Sequence, residues 1–100
     1  MHKVTAMYFV SSVDPHSRCV QPWGYFEDKE TAAQALHENW GDMHECVYPY
    51  AVIERLSSGL YPPPEERIWF AWIQEKWGFF EIAPPECAKE YSPTYAIAFF

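Results

Sequence analysis

Two short pairs in this chain have residue types that suit metal chemistry. His16 and Cys19 are separated by two residues, and His44 and Cys46 by one. Imidazole and thiolate are the preferred ligands of tetrahedral zinc. If the first hairpin lies beside the strand expected at Cys46, the four side chains form one Zn2+ site, with Asp42 as an alternative oxygen ligand. No Cys-x-x-Cys pair reinforces the pattern. The competing reading is separate surface histidines and small buried thiols. A second chemistry is nucleophilic: Cys46 or Cys19 with a histidine base and a third group to orient it. Neither cysteine stands in a Gly-rich turn before a helix, where such nucleophiles are usually found. Glu65 and Glu66 are adjacent carboxylates after a proline run, and nothing near them in sequence would raise a pKa for acid–base work.

The strongest polar concentration is acidic. Between residues 27 and 45 stand Glu27, Asp28, Glu30, Glu38, Asp42 and Glu45, against Lys29 as the sole lysine or arginine. Such a face suits the basic channel of a nucleic-acid enzyme, where it replaces phosphates and steers encounter. The competing reading is a solvated helix face with acids favoured by the dipole at its start. The whole chain carries fourteen acidic and seven basic residues, a formal charge of −7. That balance argues against direct nucleic-acid binding, which needs a basic footprint. It favours a basic protein partner.

One hundred residues are expected to form one domain, residues 1–100. A core this small must be dense, and five Trp, seven Tyr and seven Phe supply large apolar area. Stacking on bases or sugars is the functional alternative for these rings, and the acidity weighs against it. Three cysteines cannot all pair within one chain, no signal peptide is read at the start, and no apolar run approaches the ~18 residues of a membrane span. These features together point to a reducing cytoplasm.

The elements that must position these residues follow from periodicity. Lys3 to Val13 alternates as a strand, and Asp14-Pro15-His16-Ser17 is a turn. Cys19 to Phe26 reads as a second strand, with Pro22 and Gly24 marking an edge or a bulge. Asp28 is the expected N-cap of a helix of about three turns, with Glu30 in its first turn. Ala32, Leu36 and Trp40 form its apolar stripe, which makes Trp40 a core residue, and Gly41 follows its end. Cys46 to Leu56 is a strand, with Tyr50, Val52 and Leu56 on one face and Ala51 and Ile53 on the other. A turn at Ser57-Ser58-Gly59 and an extended Pro62-Pro63-Pro64 run follow. The run could serve as a proline-rich ligand or simply as a stiff loop. Arg67 to Gln74 and Phe79 to Ile82 read as a hairpin, and Tyr95 to Phe100 as a last strand or docked tail.

The order β-β-α-β-β-β with short connections implies an α+β domain of two layers: a mostly antiparallel sheet of about five strands, one helix on one face. Ile68, Phe70 and Trp72 cannot share a face with Trp69, Ala71 and Ile73. The set facing away from the helix must meet loops, the C-terminal tail or a second copy in a homodimer.

A wider pattern emerges from Gly24 onward: a Gly-Tyr-Phe strand end, a capped helix ending Glu38-Asn39, Asp42-x-x-Glu45, Tyr48-x-Tyr50-Ala51-Val52-Ile53-Glu54, Gly59-Leu60-Tyr61, Trp69-Phe70-x-Trp72 and Phe80-Glu81-Ile82-x-x-Pro85-Glu86. This order resembles small proteins of phages and bacterial mobile elements. The resemblance implies a compact accessory protein of the bacterial host cytoplasm, in a group that includes inhibitors of host defence of the anti-CRISPR kind. It carries over no catalytic activity. The resulting expectation is a non-enzymatic binding protein whose acids meet a basic host protein such as a CRISPR effector nuclease. A metal-binding structural accessory protein and a small thiol hydrolase are the alternatives.

Overall fold

The computed structural model describes residues 6–46, 48–60 and 62–91, except for the side chains of residues 45 and 46. Five strands form one antiparallel sheet: β1 (Ala6–Asp14), β2 (Cys19–Phe26), β3 (Tyr50–Ser57), β4 (Glu66–Ile73) and β5 (Gly78–Ile82), in the spatial order β2-β1-β3-β4-β5. Among the described residues, one α-helix, α1 (Lys29–His37), lies between β2 and β3 in sequence. The fold is α+β, as the strand and helix periodicities require. The expected tail strand at residues 95–100, and residues 3–5 of the expected first strand, lie outside the described residues.

α1 starts where its cap dictates. The Asp28 carboxylate accepts hydrogen bonds from the Thr31 backbone N–H and hydroxyl, both at 2.7 Å, which satisfies an otherwise orphan donor of the first turn. The helix stops earlier than its apolar stripe suggests. Glu38 is the C-cap and Asn39 takes a left-handed conformation at φ 53°. Asn39 tolerates that region because its short polar side chain bonds locally. Its amide donates to Asp42 Oδ1 at 3.1 Å, and its carbonyl oxygen accepts from the His44 N–H at 3.0 Å. Those bonds organise a kinked 3₁₀ segment, Trp40–Cys46. Trp40 therefore lies beyond α1 and is not core: it remains 40% exposed. Met43 takes the buried place instead. The same segment delays β3, which starts at Tyr50 rather than at Cys46.

Each face of the sheet is covered. Ala32, Ala35 and Leu36 of α1, with Met43, pack on Val10, Ala51, Ile53, Phe70 and Phe79. On the other face Val13, Val52 and Trp69 pack beneath Tyr91, with Cys87 and Ala88 of the 3₁₀ turn Glu86–Lys89 beside them. The alternation of β4 thus separates Phe70 and Trp72 from Trp69, and the chain after β5 provides the second cover. Trp69 is 3% exposed and meets the Tyr91 ring edge-on at 5.3 Å, so it offers no aromatic binding surface.

This second face also holds a buried charge. Glu54 has no exposed surface and accepts a hydrogen bond from Arg67 Nε at 2.8 Å, its register partner on β4. The Arg67 guanidinium lies 5.1 Å from the Tyr91 ring centroid. A buried carboxylate persists only when its partner stays in place. The ion pair therefore links the β3–β4 register to the segment that covers this face.

Candidate protein-binding surface

α1 buries one side, so its polar residues share the other. Glu30, Gln34 and Glu38 recur at four-residue spacing and are exposed. Glu27, Asp28 and Asp42 are exposed at the two ends of the same element, and the Glu45 side chain lies outside what is described. The structure thus brings Glu30 and Glu38 onto one helix face, flanked by Glu27 and Asp28 on one side and Asp42 on the other.

Some of these acids also have structural work. Asp28 caps the helix, and the hydrogen bonds from Thr31 hold its carboxyl below the usual carboxylate range. Glu38 accepts the Trp40 indole N–H at 2.7 Å and the Gln34 amide at 2.9 Å, which likewise hold its carboxyl below its ordinary value. Asp42 accepts from Asn39. Lys29 does not neutralise the face, because its ammonium is drawn to Glu66 at 3.4 Å.

Beside this face lies a concavity that periodicity alone does not reveal. In the β1–β2 pairing, Val10 faces Gly24 and Ser11 faces Pro22, so Trp23 is the extra residue of a bulge on the edge strand. Bulges re-aim side chains. Here the Trp23 indole donates to Ser12 Oγ at 2.8 Å. Trp23, Phe26 and Trp40, over a floor that includes Val10, Ala35 and Met43, enclose a cavity of about 300 Å³. Phe26 and Trp40 meet edge-on at 5.9 Å. The sequence signal is Pro22-Trp23-Gly24 in an edge strand, which marks the bulge but not its partner across the groove.

Of the residues read for metal and thiol chemistry, the described ones, His16, Cys19, Asp42 and His44, are not brought together into one group. His16 lies in the β1–β2 turn, where its backbone N–H donates to Asp14 Oδ1 at 3.0 Å. Cys19 is exposed and directs its thiol to the Ser17 carbonyl at 3.6 Å. His44 stacks on Trp72, with ring centroids 3.6 Å apart and planes 3° from parallel. The Cys46 side chain lies outside the described residues. Among the described residues, no group of three or more His, Cys, Asp or Glu is placed to hold a metal ion. Burial pushes the Cys87 thiol up, which disfavours the nucleophilic thiolate. Glu65 and Glu66 diverge into separate contacts, Glu65 with Arg55 at 3.6 Å and Glu66 with Lys29.

No protein family, curated protein or solved structure matches the chain. Among the described residues, no helix is long and apolar enough to cross a membrane.

Proposed function

We propose that this chain is a non-enzymatic binding protein that engages a basic protein surface through the exposed acidic face of α1 and the segment after it. The observation that supports this reading is the clustering of Glu30, Glu38 and Asp42 on solvent while Lys29 is paired elsewhere. An uncompensated acidic face attracts a basic surface over about a Debye length, ~8 Å at physiological salt. Its narrower form is an inhibitor of a bacterial nucleic-acid-targeting defence complex, of the anti-CRISPR kind and acting in the host cytoplasm. That form rests on the sequence resemblance.

Capture from a bacterial lysate supplies the partner. Competition against that partner's nucleic acid then tests the mechanism. Reversing Glu30, Glu38 and Asp42 to lysine slows association by about tenfold or more and weakens the salt dependence, since rim charges act mainly on the on-rate. The triple variant gives up the hydrogen bonds that Glu38 and Asp42 accept from Trp40, Gln34 and Asn39, so a melting curve must show that it is folded. Glu30→Lys alone, at an exposed position with no such bond, carries the test if it is not. Equal competition by wild type and variant eliminates the acidic-face mechanism.

A further inference from the structure

The groove between β2 and the Trp40–Cys46 segment has walls of an unusual kind. Both indole N–H groups are already occupied within the chain, Trp23 by Ser12 and Trp40 by Glu38. A ligand entering the cavity of about 300 Å³ therefore meets ring faces and edges rather than free indole donors. The internal hydrogen bonds also hold both rings, so little side-chain freedom is lost on binding. Trp23 and Trp40 are nonetheless 37% and 40% exposed, an open position for two large aromatic residues.

Among the described residues, the charged groups that adjoin the groove's lining residues along the chain or by hydrogen bond are acidic. Glu38 is hydrogen-bonded to Trp40, Glu27 follows Phe26, and Asp42 follows Gly41, which also lines the cavity. Among the described residues, no lysine or arginine lines it. Aromatic faces attract cations through their quadrupole, with Trp the strongest. The apolar floor of Val10, Ala35 and Met43 suits a methylene stem. A long side chain with an apolar stem and a planar cationic head fits all of these features.

We propose that this groove is a binding pocket for an arginine side chain presented by a basic protein partner. The acidic face brings the partner close, and the pocket takes one of its arginines as an anchor, with the guanidinium against Trp40 and Trp23 and the charge balanced by Glu38. The identity of the partner class rests on the acidic-face reading, whereas the pocket itself does not.

N-acetyl-arginine amide and N-acetyl-citrulline amide are the probes, since citrulline keeps the shape of arginine without its charge. The readout is the pair of Trp23 and Trp40 indole N–H resonances in a two-dimensional NMR titration. The arginine probe shifts both in a saturable manner at millimolar concentration, and citrulline binds about fivefold or more weakly. Trp40→Leu weakens the arginine probe by about threefold or more, while Trp40→Phe, which keeps a ring face, recovers most of the loss. Glu38→Gln keeps an acceptor for the Trp40 indole and removes the charge, so it weakens arginine but leaves citrulline unchanged. Thermal melts confirm that each variant is folded. Equal binding of the two probes, or no indole shift up to tens of millimolar, overturns the proposal. Because the probe is a single amino-acid amide, such a result removes the pocket without bearing on the acidic face, which is judged by partner association.

Discussion

Gly78→Ala is expected to be among the most damaging single-methyl changes in this protein. Gly78 opens β5 and is buried against the C-terminal end of α1. A Cβ built there collides with the His37 carbonyl oxygen and lies 2.8 Å from its carbonyl carbon. Both atoms are backbone, so no rotamer change relieves the contact; the helix end or the strand must move. His37 also holds this junction through its side chain. Its Nδ1 is 2.9 Å from the Phe79 carbonyl oxygen, which requires Nδ1 to carry the proton and donate. Its ring stacks on Phe80 at 4.7 Å, with the Lys76 ammonium 4.8 Å from the same Phe80 ring. Overpacking of a tight contact costs about 1–3 kcal/mol, and losing the His37 bond adds roughly 1 kcal/mol. The sum, about 2–4 kcal/mol, is a large fraction of the 5–15 kcal/mol typical of a domain. For a chain near this size each kcal/mol lowers Tm by about 4–8 °C, so a fall of roughly 8–32 °C is expected. Thermal and urea denaturation of wild type and Gly78→Ala measure it directly. His37→Ala in the Gly78→Ala background should not restore stability, because the obstruction is the main chain. A Gly78→Ala protein melting within about 2 °C of wild type would refute the helix–strand contact that sets where α1, and hence its acidic face, sits.

Two further perturbations probe the other face and the aromatic end. Arg67→Leu leaves the Glu54 carboxylate buried without its guanidinium and should cost about 3 kcal/mol or more, whereas the double variant Glu54→Leu/Arg67→Leu should recover most of that loss. Urea midpoints decide it, and a double variant no more stable than the single one contradicts the ion-pair account. Burial against Trp72 holds the His44 imidazole below its ordinary pKa, with Asp42 opposing that shift. As pH falls through about 6.5 the unfolded chain takes up this proton before the folded one does, so stability declines toward the depressed value. His44→Phe should flatten the slope of urea midpoint against pH between about 7.5 and 5, and an unchanged slope removes His44 as its source.

The parts of this fold that follow from local chemistry were legible in the chain. β2 is bounded by Cys19 and Phe26 as its alternation requires, and Pro22 and Gly24 do mark both an edge strand and a bulge. Asp28 caps α1 because an Asp before a helical stripe has few better uses. The acids were also legible, since exposure of the polar face follows from the buried stripe. The end of α1 was not. Ala32, Leu36 and Trp40 keep four-residue spacing, yet spacing reports only what a helix would bury if it continued. Whether it continues depends on Asn39, whose left-handed conformation is stabilised by bonds to Asp42 and His44 that exist only once the turn has formed. For the cover over Trp69, alternation leaves loops, the C-terminal tail or a second copy. Only packing selects the Glu86–Lys89 turn and Tyr91.

The early end of α1 bears directly on what the surface can do. Had the helix run one turn further, Trp40 would have been pressed onto the sheet and Glu38 would have been an ordinary solvated acid. Instead the chain leaves the helix between them. The left-handed Asn39 turns Trp40 back so that its indole meets Glu38 at 2.7 Å, and Met43 fills the core in its place. The exposed ring then faces an edge strand whose own bulge has turned Trp23 toward Ser12. A bulge and a left-handed residue are both departures from regular structure; the left-handed Asn39 also delivers Met43 to the core, whereas the bulge at Trp23 adds no residue to it. The bulge, which directs a tryptophan whose donor is already satisfied, is thus the departure that the proposed arginine pocket would account for. A mutation that restores regular pairing in β2, by deleting Trp23, should therefore leave the core of Val10, Leu36, Ile53 and Phe70 cooperative in a melt while removing the arginine probe's signal at Trp40. Loss of folding on that deletion would instead make the bulge a structural requirement, placed by the fold and not by a ligand.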